Sequence, residues 1–278
     1  MEFLYDILGM LPFEFMQYTF MKNAFIAVLF VSPLFALLGT MAVNDKMAFF
    51  SDALGHSAFT GIAIGVLLGL KNPVISMLAF AIILGLAITH VKESGTASTD
   101  TIISVFSSIS IALGIVILSR NGGFAKYSSF LTGDILTVRP SEIWAVLATL
   151  IAAYIIWIKI YNNLLLVSIN PSLAASRGIN CKLYENIFVV MVAVAVMLSV
   201  KWIGILTINS LLILPAAAAR NVSLTSKQYH FYSLIIGLFS GIAGLIVSFY
   251  ADTSAGASMV LVSAVIYFAT LLMKNKIR

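Results

Sequence analysis

Residues 22–45 read KNAFIAVLFVSPLFALLGTMAVND, a run with no charged side chain between Lys22 and Asp45. A helix rises 1.5 Å per residue, so ~20 such residues cross ~30 Å of hydrocarbon. Eight further gaps of this kind follow: Asp52–Lys71, Lys71–Lys92, Asp100–Arg120, Glu142–Lys159, Glu185–Lys201, Lys201–Arg220, Lys227–Asp252 and Asp252–Lys274. In lipid every backbone N–H and C=O must find an internal partner, so these gaps read as spanning helices. The approximate segments are 19–43, 47–69, 73–91, 100–119, 142–166, 186–200, 202–219, 229–250 and 257–273. The sixth and seventh, separated by Lys201-Trp202, form either a tight hairpin or one broken unit, so eight or nine spans are expected.

Composition points the same way. Of 278 residues, 61% are hydrophobic and 10% charged, against about 25% charged in a soluble domain. Mean hydropathy is +1.06. A soluble enzyme, a disordered chain and a disulfide scaffold are excluded. The single cysteine, Cys181, says nothing about redox compartment. The expected fold is an all-α, polytopic membrane helix bundle forming one domain over 1–278. Residues 1–17 hold three acids and a proline and read as an interfacial segment, without the basic start of a signal peptide. Orientation follows lysine and arginine near the span ends. The basic end MKNKIR is expected in the cytoplasm, together with 220–228 and 167–185. The loop 120–141 then falls outside despite Arg120, Lys126 and Arg139, and its apolar part, YSSFLTGDILTV, is expected to re-enter the membrane. The net charge of +5 fits basic cytoplasmic loops better than nucleic-acid binding.

The second segment, MAFFSDALGHSAFTGIAIGVLLG (47–69), breaks the apolar pattern. A carboxylate in the middle of a membrane helix costs about 2.5–3.5 kcal/mol on insertion scales. Asp52 and His56 are spaced i, i+4 and share one helix face. With a helix starting near 47, they lie about 7 and 13 Å in. A carboxylate and an imidazole on one face are half of a four-ligand site for a divalent cation, which a second copy of the chain would complete. The same residues also suit a structural hydrogen-bonded pair or a proton relay. Ser57, Gly61, Gly65 and Gly69 form an adjacent stripe that admits a close helix, within the chain or from a second copy. Ser233, Gly237 and Gly241 repeat it in the eighth segment.

Two other stretches stand out. In GILTINSLLILPAAAAR (204–220), Pro215 cannot donate to the carbonyl of Leu211 and a kink is expected. With Asn209 at membrane depth, the segment reads as a gate or a static bend. NPSLAASRGIN (170–180) reads as a short helix with Asn170 as N-cap, Pro171 in the first turn and Gly178 as its stop, suited to docking a soluble partner. His90 and His230 sit at span ends, and Asp134 and Asp252 in loops. The chain contains no G-x-x-x-x-G-K-[ST] loop for ATP, no H-E-x-x-H and no G-x-S-x-G.

Together these stretches resemble the zinc/manganese permease family of ABC importers. SDALGHSAFTGIAIGVLLG (51–69) is similar to that family's D-x-x-S-H-x-x-L-P-G-(I/V)-A pattern, with Gly55 for the serine and Phe59-Thr60 for Leu-Pro. FLTGDILTV (130–138), NPSLAASRGI, KWIGILTINSLLILPAAAAR (201–220) and ADTSAGASMVLVSAVIYF (251–268) match in order. The resemblance implies a fold similar to the cobalamin-type importer permeases, with fewer helices. It implies a cytoplasmic-membrane subunit acting as a dimer with a second permease copy. ATP-binding cassette ATPase subunits would attach inside, and an extracellular solute-binding protein would deliver the metal. Asp52 and His56 correspond to the metal pair, and Asn170, Pro171, Leu173, Ala174, Arg177 and Gly178 fall in the coupling helix. In many members that helix opens with acidic residues; here Asn170 and Ser172 stand instead. No permanent cofactor is expected; zinc or manganese is cargo. A self-sufficient proton-coupled metal carrier is the alternative, and an intramembrane metal hydrolase lacks a third ligand and a base.

Overall fold

Each uncharged stretch forms a helix of its own. The structure, a computed structural model, describes residues 2–9, 13–70, 72–95, 97–120 and 129–277, and regular structure among them is helical. The elements are α1 (Glu2–Gly9), α2 (Thr19–Asn44), α3 (Phe50–Leu67), α4 (Pro73–Glu93), α5 (Thr99–Arg120), α6 (Ser129–Thr132), α7 (Pro140–Ile169), α8 (Pro171–Ser176), α9 (Cys181–Ile203), α10 (Ile205–Val222), α11 (Ser226–Ala251) and α12 (Ala255–Ile277). Among the described residues eight helices are long and apolar enough to cross a membrane: α2, α3, α4, α5, α7, α9, α11 and α12. The eighteen-residue α10, which carries Asn209, Arg220 and Asn221, is packed among them.

Some of the starts are written locally. Asn72 accepts the Val74 N–H ahead of α4, with Pro73 in its first turn. Thr225 and Gln228 exchange hydrogen bonds at the start of α11, a capping box. Ion pairs then mark the two ends of the bundle. Lys92–Glu185 (3.6 Å) and Lys182–Glu93 (2.8 Å) join α4 to α9 at one end. Lys201–Glu142 (2.6 Å) joins α9 to α7 at the other.

The sixth and seventh segments are two helices divided at Gly204, whose φ of 95° ends α9 while its N–H donates to the Val200 carbonyl. Beyond this joint they part. Both touch α3, but α9 packs otherwise on α4 and α7, whereas α10 packs on α2, α11 and α12. Gly204 also touches Gly133 (φ 64°), and a Cβ on either would overlap the other's backbone. This contact holds 129–138 against the bundle. The segment forms α6 and a 3-10 turn (Ile135–Thr137), with Ile135 and Val138 buried. The rest of the expected re-entrant stretch, with Lys126, lies outside the described residues. At the N-terminus a 3-10 turn (Glu14–Gln17) buries Phe15 and Met16, and Phe15 meets Phe249 and Tyr250.

Candidate functional site

The site is built around the entry to α3. After α2 the chain turns sharply: the Met47 N–H donates to Ala42 and the Phe50 N–H to Met47, with Lys46 at φ 56°. α3 therefore begins at Phe50, not near 47, and Asp52 occupies its first turn. Unpaired N–H groups there favour a carboxylate, which lowers the cost of placing one at depth. The start itself lies inside the bundle. Phe50 packs against Gly85, about 10 Å along α4 from Lys92.

One turn on, His56 Nε2 lies 3.6 Å from Asp52 Oδ1, with the imidazole 20% and the carboxylate 36% exposed. That separation is too long for a good hydrogen bond, so the two groups are neighbours without being locked together. Asp52 opens onto a cavity of about 300 Å3 whose far wall is α5: Asp100, Ile103, Ser104, Ser107 and Ser108. The spacing 100, 104, 107, 108 is one helix face. Sequence reasoning missed this wall: Asp100, Ser104, Ser107 and Ser108 share a helix face, but nothing in the sequence says that the face meets Asp52. Among the described residues no three His, Cys, Asp or Glu side chains converge, so one chain offers two ligands of this kind.

The frame around the pair is tight. Thr60 Oγ1 donates to the Ser110 carbonyl, and Gly114 rests on the Phe59–Thr60 backbone, fastening α5 to α3. Gly61 and Gly65 lie against Met77 and Ser76 of α4, and buried Ser57 donates to Leu54. That part of the stripe packs within the chain. Gly69 does not belong to it: at φ 68° with open space around it, it closes α3. In α11, Ser233 donates to the Ala36 carbonyl and Gly237 and Gly241 approach Ser32, so this second stripe packs on α2. Ser51 Oγ donates to Asn209 Oδ1 at 2.5 Å, bringing the polar residue of α10 to the foot of α3. α10 runs unbroken through Pro215, which faces Gly237.

Residues 17–274 match the ABC 3 transport family. The chain belongs to that family. The ABC 3 relatives include the high-affinity zinc uptake system membrane protein ZnuB of Haemophilus influenzae, 33% identical over 89% of this chain and 95% of that one. The manganese transport system membrane protein MntC of Listeria monocytogenes is 29% identical over 94% and 93%. A solved structure, PsaBC from Streptococcus pneumoniae in complex with Fab, superposes with a TM-score of 0.79 at 25% identity, covering 97% of this chain and 95% of that one. The chain is thus a multi-pass membrane protein of a transport family.

At the Lys92 end of this ABC 3 chain, α8 is capped as its sequence suggests. Asn170 Oδ1 accepts the Leu173 N–H at 2.9 Å, Pro171 opens the helix, and Gly178 (φ 75°) follows it. Ala174 is fully buried, while Pro171, Leu173, Arg177 and Gly178 are exposed. Beside it, burial pushes the Asp45 carboxyl up to about 6, against a hydrogen bond from Ser168 and the charge of Lys92, which lower it. Asp134 caps the 3-10 turn through the Leu136 N–H, and Asp252 (φ 50°) ends α11. His90 is largely exposed beside Glu93, and His230 packs on Tyr161.

Proposed function

We propose that the chain is the membrane permease of an ABC importer for a divalent transition metal, zinc or manganese, with ATP hydrolysis supplied by separate subunits. The observation that carries this is the Asp52–His56 pair, placed inside a bundle of this transport family, with Asp52 open to a cavity walled by the serines of α5. Imidazole and carboxylate suit Zn2+ or Mn2+ and disfavour Cu+. The metal is cargo, so its ligands must also release it. Two ligands per chain, joined by two from a second copy, hold an ion more loosely than a closed four-cysteine site.

In this scheme a solute-binding protein delivers metal at the Gly204 end, outside the cell. Asp52 and His56 receive it, and the serines of α5 line its way past them. ATPase subunits grip the exposed face of α8 in the cytoplasm, where the C-terminus also lies. Asn209 and Pro215 belong to the moving helix α10. ZnuB and MntC are named for zinc and manganese systems respectively, which supports the cargo class without choosing between the two.

The test is reconstitution in liposomes. The chain with its ATPase and binding protein is expected to accumulate metal only with ATP. Accumulation by the chain alone, driven by a proton gradient, would replace this reading with that of a secondary carrier.

A further inference from the structure

On the other side of the molecule, away from α3 and α5, a groove of about 780 Å3 runs between α2, α7 and α11. Its walls are graded. Leu37, Leu150, Tyr154, Ile158 and Leu234 line the apolar part, whereas Tyr161, Asn162, Ser226 and Lys227 gather at the Lys92 end beside Leu165. From Leu150 to Asn162 along α7 is about 18 Å, close to the depth of one leaflet of a ~30 Å hydrocarbon core. Ser226 and Lys227 open α11, and Asn162 lies about 10 Å from the end of α7, so the polar end sits near the headgroup level.

That end is an organised cluster. Tyr161 Oη and Ser226 Oγ share a hydrogen bond of 2.7 Å. The His230 ring stands edge-on to Tyr161 with centroids 5.0 Å apart, and its Nδ1–H donates to the Ser226 carbonyl at 2.8 Å. His230 Nε2 is buried and has no hydrogen-bond partner. Lys227 makes no ion pair among the described residues, and no acid lines the groove. Arg220 lines a smaller cavity that shares Ser226. The mouth is thus cationic and rich in hydroxyl and amide groups above an apolar slot.

We propose that this groove binds an anionic phospholipid, its phosphodiester held by Lys227 with Asn162 and Ser226 and one acyl chain lying between α7 and α11. A zwitterionic lipid fits the slot equally well but places a second cation at the mouth beside Lys227. The inference goes beyond the transport reading and does not depend on it, because the readout is bound lipid.

The experiment is native mass spectrometry of the purified chain after exchange against equimolar phosphatidylglycerol and phosphatidylcholine. The wild type is expected to retain the anionic lipid in excess. Lys227→Glu should cut that excess at least fivefold, Lys227→Arg should keep it, and Ile158→Trp, which fills the slot, should reduce both adducts. Glycerol phosphate, a headgroup without chains, should displace nothing. Equal retention of the two lipids, an unchanged excess in Lys227→Glu, or displacement by glycerol phosphate would each overturn the proposal. Asn162→Leu replaces Lys227→Glu should the latter elute differently from wild type.

Discussion

The Ser51 hydroxyl donates to the side-chain oxygen of Asn209, so the residue before Asp52 is tied directly to α10. Ser51 is buried, and removing one partner leaves the other unsatisfied in an apolar setting. Ser51→Ala and Asn209→Leu should each cost about 1–3 kcal/mol, and the double variant less than the sum. Thermal unfolding in detergent measures all three. Strictly additive losses would mean that the bond does not couple α3 to α10.

Asp52→Asn and His56→Ala should each reduce metal accumulation in cells more than tenfold while leaving expression and thermal midpoint close to wild type. Both side chains are partly exposed and make no strong fixed bond, so the fold does not depend on them. Wild-type accumulation by both variants would remove the pair from the path.

The wall facing the pair offers a separate test. Ser104→Leu with Ser108→Leu fills part of the cavity beside Asp52 without touching either ligand candidate. Uptake should slow severalfold, with the subunit still folded and assembled. Uptake at the wild-type rate would place the route elsewhere.

Much of the fold was legible because lipid permits few solutions. Nine uncharged gaps became nine helices, and charges such as Lys92, Glu185 and Lys201 fell at their ends. The short helix after Asn170 was legible as well, since cap, proline and glycine act locally. Three features were not. The true start of α3 depends on the Ala42–Met47 turn bond, which no periodicity encodes. The role of Gly69 depends on its φ. The α5 wall became visible only when the packing of Thr60 on Ser110 turned that face toward Asp52; on its own a serine in a helix marks nothing.

Asp45 sets a pH dependence. Its carboxyl rises from an ordinary 3.8 to about 6, chiefly through burial. The folded chain therefore holds a proton that the unfolded chain gives up. The stability this group contributes is full below about pH 4 and is lost as pH climbs through about 6. The thermal midpoint of wild type should fall more between pH 5 and pH 7.5 than that of Asp45→Asn. Parallel curves would show that Asp45 ionises freely in the fold.

Leu173 on α8 and Arg177 just after it stand exposed, whereas Ala174 anchors the helix. Leu173→Asp with Arg177→Glu should leave the chain folded but sever ATP hydrolysis from uptake in a reconstituted importer, lowering metal moved per ATP severalfold. An unchanged ratio would remove α8 from the coupling interface.

Asn170 closes α7 and opens α8 in the same residue. α7 has 30 residues, a rod of about 45 Å, and near its far end Glu142 is clasped by Lys201, three positions before the Gly204 joint. Any displacement of α8 would therefore meet no slack loop: it would enter a strut about 45 Å long that is clasped at its far end beside the Gly204 joint.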